Sequence, residues 1–287
     1  MRLLRVEQWV KNLLVLLPLG AAHQFLIPGE ILPFKLLDGL IVFVIFCLLS
    51  SSVYIINDWR DYESDRLDLQ RKKRPIANQE ILPIKALMIA LFLIGLGCYL
   101  SYLLFSNYFL LLIFCYLALT SLYTFYLRSI IYLDCILLSS FYLLRVVAGA
   151  VALKIEISSW LLAFSSTFFF ALAAIKRFNE LKDLPKNRPY QKSSHTPLLI
   201  LSLLGSLAAA TVLFLYPIFS TQAQILYREN LMLFIPPIVV LYWFLRLLFL
   251  AKNQKLRGDP LSFSTKDIRS YQIFFITVFS YLASSTY

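Results

Sequence analysis

Nine stretches of roughly 20 mostly apolar residues follow one another along the chain, and that succession limits the fold more than any other feature. They run over about 11–27, 36–57, 84–105, 108–127, 130–152, 159–178, 196–218, 231–251 and 270–286. Each is long enough, as a helix, to cross the hydrocarbon of a bilayer. With 60% hydrophobic and only 15% charged residues among 287, the chain lacks the polar surface that a soluble domain of this length requires. The sequence therefore predicts an all-α polytopic membrane bundle of nine transmembrane helices, a single domain over 1–287.

Charge sets the orientation. The net charge of +11 does not read as a nucleic-acid surface, because the basic residues sit between apolar runs and face anionic lipid or anionic substrates. Of the 27 lysines and arginines, 23 fall on alternate connections, chiefly before the first span, in 58–83, in 176–195 and in 252–269. Lys35, Lys154 and Arg228 fall on the other side, and Arg145 lies inside the fifth span. The positive-inside bias puts the N-terminus and the long charged connections in the cytoplasm, at the inner (plasma) membrane. Arg2, Arg5 and Lys11 ahead of an apolar run have the outline of a signal peptide, but Gln8, Trp9, Lys11 and Asn12 read as a functional motif instead. Cys47, Cys98, Cys115 and Cys135 all lie in apolar segments without CxxC spacing and read as small hydrophobes. Two histidines, His23 and His195, leave no basis for a histidine zinc site or a Ser-His-Asp triad.

The richest chemistry follows the second span. In Asn57-Asp58-Trp59-Arg60-Asp61-Tyr62-Glu63-Ser64-Asp65-Arg66-Leu67-Asp68, helical spacing puts Asn57, Asp61 and Asp65 on one face, with Asp58 and Asp68 near its edge. Stacked carboxylates repel unless something cationic neutralises them, and hard oxygen ligands suit Mg²⁺, which keeps substrate phosphates among its other ligands. Against this stands an acidic, solvated helix end, which does not explain a row of carboxylates starting at membrane depth. Arg71-Lys72-Lys73-Arg74-Pro75 follows, an ordinary membrane anchor when taken alone and a phosphate clamp beside a metal. Arg145 is costly in mid-span unless it faces the bundle interior. It pairs either with Asp134, about three turns away, or with a phosphate in a cavity.

At these residues the chain resembles a known family. Asn57-Asp58-x-x-Asp61-x-x-x-Asp65 with Arg74-Pro75-Ile76 is similar to the first aspartate motif of the UbiA-type intramembrane prenyltransferase superfamily. More narrowly, five further segments resemble its decaprenyl-phosphate phosphoribosyltransferase branch. They are Arg5-x-x-Gln8-Trp9-Val10-Lys11-Asn12, Tyr123-Thr124-x-x-x-Arg128, Leu144-Arg145-x-x-Ala148-Gly149-Ala150, Lys176-Arg177-Phe178-Asn179-Glu180-Leu181, and Arg257-Gly258-Asp259-Pro260 with Lys266-Asp267. Departures are Arg128 in place of a lysine, Asn179 in place of a small residue, and Pro185 and Pro189 in the loop near 184–196. The resemblance implies a nine-helix bundle with a cavity opening toward the cytoplasmic face. It implies Mg²⁺ held by Asn57, Asp58, Asp61 and Asp65, with the three aspartates catalytic. Gln8, Lys11, Asn12, Arg74, Tyr123, Arg128, Arg145, Lys176, Arg177 and Glu180 would bind substrate.

The donor so implied is phosphoribosyl diphosphate and the acceptor a polyprenyl phosphate, whose own anionic oxygen attacks without a strong base. That suits a chain nearly devoid of histidine. The Lys176, Glu180 and Asp183 face mixes signs, where a prenyl-diphosphate enzyme would carry a second acidic metal motif. It also fits a plain helix end with an i,i+4 ion pair. Prenyl transfer to an aromatic or haem-precursor acceptor is the nearest alternative. A transporter is a remoter one, since ionisable residues at the membrane midplane are nearly absent. A homo-oligomer is compatible with the chain, and nothing in its sequence specifies one.

Overall fold

The computed structural model describes residues 2–21, 31–68, 71–127, 130–181, 189–226, 231–256 and 258–284. The described residues are helices joined by short connections. A 3-10 helix, Val6–Leu16, leads into α1 (Leu17–Ala21), α2 (Ile31–Arg60), α3 (Tyr62–Leu67) and a 3-10 turn at Arg71–Lys73. Then come α4 (Pro83–Leu104), α5 (Asn107–Leu122) with a π turn at Tyr123–Leu127, α6 (Ile131–Ala152) and α7 (Ser159–Glu180). The chain closes with α8 (Pro189–Phe219), α9 (Thr221–Leu226), a 3-10 turn at Leu231–Phe234, α10 (Ile235–Lys252), α11 (Pro260–Ser264) and α12 (Ile268–Ser284).

Seven of the described helices are long and apolar enough to cross a membrane: Phe34–Arg60, Pro83–Leu104, Asn107–Leu127, Tyr132–Ala152, Ser159–Glu180, Thr196–Phe219 and Leu231–Lys252. The chain is a multi-pass membrane protein. Two of the nine expected spans are not among these seven. The first begins as the Val6–Leu16 3-10 helix, whose Lys11 and Asn12 are buried against neighbouring helices, and residues 22–27 of that span lie outside the described residues. The last is α12, 17 residues over Ile268–Ser284, with residues 285–286 of that span outside the described residues. Inside the apolar helices, hydroxyls return their protons to the preceding turn, as Ser101 does to the Gly97 carbonyl at 2.7 Å and Ser202 to that of Leu198 at 2.7 Å. Ser106 and Ser158 cap α5 and α7 by accepting from the backbone N–H groups of Phe109 and Leu161.

Two compact units are present. The first comprises 1–129 and 144–156. Its core gathers Val15, Val42, Ile45, Phe46, Leu49, Phe109, Ile113 and Tyr116 with Ala148 and Ala152 of α6. A second cluster packs Ile55 and Ile76 against Ala86, Ala90 and Leu93 of α4. The other side of α4 shows Ile84, Met88, Leu91, Phe92 and Tyr99, an apolar stripe suited to lipid contact. The second unit comprises 130–143 and 157–287. Phe168 of α7 stacks on Trp243 of α10 at 5.6 Å between centroids, with Phe169 and Phe244 edge-on to it.

Candidate active site

In the first unit, α2 breaks at Asp61, whose φ of −90° and ψ of 2° end the helix for one residue before α3 resumes. The course of the chain survives the break, since Asp61 N–H bonds to the Asn57 carbonyl at 3.0 Å and Asp65 N–H to that of Asp61 at 2.8 Å. Asp58 and Asp65, seven residues apart and so about 20° short of two full turns, therefore share a face. They are buried at 2% and 0% exposure, whereas Asp61 is half-buried. The expected row led by Asn57, Asp61 and Asp65 thus becomes a buried Asp58–Asp65 pair with Asp61 at its margin. Asp68 is exposed and caps the Arg71–Lys73 turn, its Oδ1 accepting from Arg71 N–H at 2.9 Å.

Two arginines neutralise this pair. Arg74 Nη1 lies 3.1 Å from Asp58 Oδ1 and 2.6 Å from Asp65 Oδ2, bridging the carboxylates. Its position follows from the turn around it, where Asn78 N–H bonds the Arg74 carbonyl and Ile76 is sunk into the α4 cluster. Arg5 Nη2 lies 2.5 Å from Asp58 Oδ1, and its guanidinium rests over the Tyr54 ring at 5.2 Å. Arg5 has φ 48° and ψ 52°, a left-handed conformation that costs a non-glycine residue roughly 1–2 kcal/mol and that the buried ion pair offsets. Asp65 Oδ1 is buried with no hydrogen-bond partner among the described residues. The same end of the unit carries Asn57, whose Oδ1 accepts from Thr124 Oγ1 at 2.6 Å. Thr124 sits in the π turn, the kind of local widening that recurs at functional sites. Tyr123 beside it is half-buried, and Arg128 lies outside the described residues.

The N-terminal motif and the motif around Arg145 prove to be partners. Arg145 is 5% exposed, and its Nε donates to Asn12 Oδ1 at 2.9 Å while Nη2 donates to the Tyr116 hydroxyl at 3.0 Å. Its guanidinium also lies over Tyr116 and Phe46, 5.1 and 5.9 Å from the ring centroids. Asn12 Nδ2 in turn donates to Ser50 Oγ at 3.0 Å and Cys47 Sγ at 3.3 Å. Trp9 Nε1 donates to Ser51 Oγ, which donates to the Leu4 carbonyl. Lys11 is buried and Gln8 half-buried in the same segment.

The second unit holds a separate charged cluster. Asp134, fully buried, is gripped bidentately by Arg177, with Nη2 at 2.5 Å from Oδ1 and Nε on Oδ2. Arg177 Nη1 also binds Glu180 Oε2. Lys176 Nζ keeps longer contacts, 3.9 Å to Glu180 Oε1 and 3.8 Å to Asp259 Oδ1. A small pocket lined by Leu138, Tyr142, Leu172, Lys176 and Asp259 opens there, with room for about one water molecule, roughly 10 Å³. Asn179, the departure noted in the sequence, donates to the Leu256 carbonyl at 3.0 Å and ties α7 to the 252–269 connection. Asp183 and Arg257 lie outside the described residues.

Among the described residues, no three His, Cys, Asp or Glu side chains are already gathered as a metal-holding group. The donor set still suits a hard divalent cation: two buried carboxylates, one of their oxygens without a partner, and the side-chain oxygen of Asn57, the residue before Asp58. Arg5 and Thr124 belong to the site; both stand in family-like motifs of the sequence, but neither was among the residues expected to hold metal or bind substrate. They lie 53 and 67 residues from the partners they meet, and no local spacing signals such a meeting.

The profile of the UbiA prenyltransferase family matches residues 15–277. The chain is 31% identical over 280 residues to the uncharacterized protein y4nM of Sinorhizobium fredii, covering 94% of this chain and 52% of that protein. It is 30% identical over 275 residues to the nodulation protein NoeC of Azorhizobium caulinodans, covering 92% and 85%. It is 39% identical over 184 residues to the decaprenyl-phosphate phosphoribosyltransferase of Corynebacterium glutamicum, covering 62% and 53%. The match thus spans about half the length of the first and third of these relatives. In fold, the chain resembles a UbiA homologue from Archaeoglobus fulgidus solved with GPP and Mg²⁺, with a TM-score of 0.64 at 18% identity over 98% of each chain.

Proposed function

The chain belongs to the UbiA prenyltransferase family, and from that premise we propose that it transfers a 5-phosphoribosyl group from phosphoribosyl diphosphate to a polyprenyl (decaprenyl-like) phosphate, releasing diphosphate. The observation that carries this reading is the buried Asp58–Asp65 pair bridged by Arg74, with Arg5 on Asp58 and one Asp65 oxygen left without a partner. The likeness to a decaprenyl-phosphate phosphoribosyltransferase supports the donor and the acceptor.

Asp58, Asp65 and Asp61, with the Asn57 side-chain oxygen, would hold Mg²⁺, which supplies positive charge to the diphosphate leaving group. Arg74 and Arg5 present guanidinium forks at the same carboxylates and hold phosphate oxygens of the donor. The lipid phosphate is already anionic, so its oxygen forms the new bond to ribose C1 as the bond from C1 to diphosphate breaks. No side chain need remove a proton. In the second unit, Lys176 is the phosphate-binding group, its carboxylate contacts being long, while Arg177 braces Asp134. The lysine and arginine bias supports placing the acid cluster, and the cavity that it would line, on the cytoplasmic side of the inner membrane. On this reading the N-terminal segment and α12 complete nine helices of one domain.

The test is purified protein with radiolabelled phosphoribosyl diphosphate, polyprenyl phosphate and Mg²⁺, scored by label entering the lipid phase. Label should follow Mg²⁺, and Asp61→Asn should abolish turnover while the protein remains folded and extractable. Label confined to water, with prenyl diphosphate consumed when an aromatic acceptor is supplied, would overturn phosphoribosyl transfer in favour of prenyl transfer.

A further inference from the structure

An arginine buried in mid-bundle has two uses: to meet a substrate, or to hold another part of the chain. The surroundings of Arg145 decide between them. The residue is 5% exposed, with Nε given to Asn12, Nη2 to Tyr116, and the guanidinium 5.1 Å from the Tyr116 ring centroid and 5.9 Å from that of Phe46. Asn12 belongs to the 3-10 helix Val6–Leu16, the segment that begins directly after Arg5. In a 3-10 helix, side chains three apart line up, and Asn12 and Val15 are both buried, so one edge of the segment lies against the unit. One turn from Arg145 on the same face of α6 is Gly149, where a Cβ would stand 2.0 Å from the Val15 carbonyl oxygen. The backbone of the N-terminal segment thus rests directly on α6, and Arg145 fastens it there. At its other end the segment delivers Arg5 to Asp58 at 2.5 Å, with Trp9, Ser51 and Leu4 hydrogen-bonded between.

We infer that Arg145 is a positioning residue: through Asn12 it locks the N-terminal 3-10 segment onto α6, and the locked segment holds Arg5 at the acid cluster. Its effect on donor binding rests on the proposed function; the locking itself does not. Lysine is a poor replacement, because its three donors radiate from one nitrogen, whereas the guanidinium reaches Asn12 and Tyr116 from two separate nitrogens in a fixed fork.

The experiment is a double-mutant cycle of Asn12→Ala and Arg145→Met in detergent, read by hydrogen exchange of amides 6–16 and by KM and kcat for phosphoribosyl diphosphate. Loss of a charged hydrogen bond should speed exchange across the segment by about tenfold or more in each single variant. KM should rise with it, and the double variant should be no worse than the more affected single one. Arg145→Lys should stay close to Arg145→Met. An arginine that binds substrate directly would instead raise KM with exchange of 6–16 unchanged, be largely rescued by lysine, and add to the Asn12→Ala effect; that result overturns the inference. Should Arg145→Met fail to fold, Tyr116→Phe removes one acceptor of Arg145 and keeps the ring. It should speed exchange in the same segment, and unchanged exchange in both Tyr116→Phe and Asn12→Ala refutes the locking. Because exchange is measured without turnover, absence of phosphoribosyl transfer would reject the proposed reaction and leave the cycle decisive.

Discussion

Replacing Arg74 by methionine tests whether the acid cluster is organised as described. Methionine keeps the length and apolar stem of the side chain and removes only the guanidinium. Arg74 Nη1 serves two carboxylates, at 3.1 Å from Asp58 Oδ1 and 2.6 Å from Asp65 Oδ2. Asp58 would retain Arg5, but Asp65, at 0% exposure and already lacking a partner on Oδ1, would lose its cation altogether. Breaking a buried pair by deleting one partner costs roughly 3–5 kcal/mol, and the 24% exposure of the Arg74 side chain argues for the lower end, about 3 kcal/mol. Thermal melting in detergent should show a clear drop in Tm. Asp65→Asn alone should be milder, because a neutral amide needs no counter-ion. Combining the two should recover roughly 1–3 kcal/mol relative to the sum of the singles. If Arg74→Met melts like the unmodified protein, or the two changes simply add, Arg74 does not hold the Asp58–Asp65 pair and the site as described is wrong.

Two further outcomes follow from the packing. Gly149→Ala would drive a Cβ against the Val15 backbone, at 2.0 Å from its oxygen and 2.7 Å from its carbonyl carbon, where no flexible side chain can yield. It should cost roughly 1–3 kcal/mol or more by overpacking, against little change for Ala at Gly95, which has open space around it; equal melting of the two variants would contradict the close approach. Arg246, bidentate to Asp267 at 2.6 and 2.8 Å, holds the Asp267 carboxyl down to about 2, helped by the Ser270 hydroxyl and N–H. A carboxylate depressed on folding contributes stability that is complete above its unfolded value of roughly 3.9 and is lost as pH falls through the folded one. Melting between about pH 4 and pH 2 should therefore decline less steeply in Asp267→Asn than in the unmodified protein, and identical profiles would refute the pairing.

Much of this architecture is local, and so was legible in the residues. A run of about 20 apolar residues must be helical in lipid because its backbone has no other partner, and seven such helices are present among the described residues. Helical spacing likewise put Asn57, Asp61 and Asp65 on one face with Asp58 near its edge, but that the buried pair is Asp58 and Asp65 was not readable from spacing. Resemblance of motifs pointed to the family, which the profile match bears out. The close seating of the N-terminal segment on α6 was not legible, because it depends on Gly149 admitting the Val15 backbone.

Sequence by itself determined the solvent, the helices and the residue types available for chemistry, since each follows from periodicity over one or two turns. Tertiary structure alone decided the partners. Arg74 rather than a neighbouring cation bridges Asp58 and Asp65, and Arg177, 43 residues away in the chain, grips Asp134. Arg145 reaches Asn12 across 133 residues of chain. A buried charge takes whichever counter-group packing brings within hydrogen-bond reach, and that proximity is a property of helices laid side by side, not of spacing along any one of them.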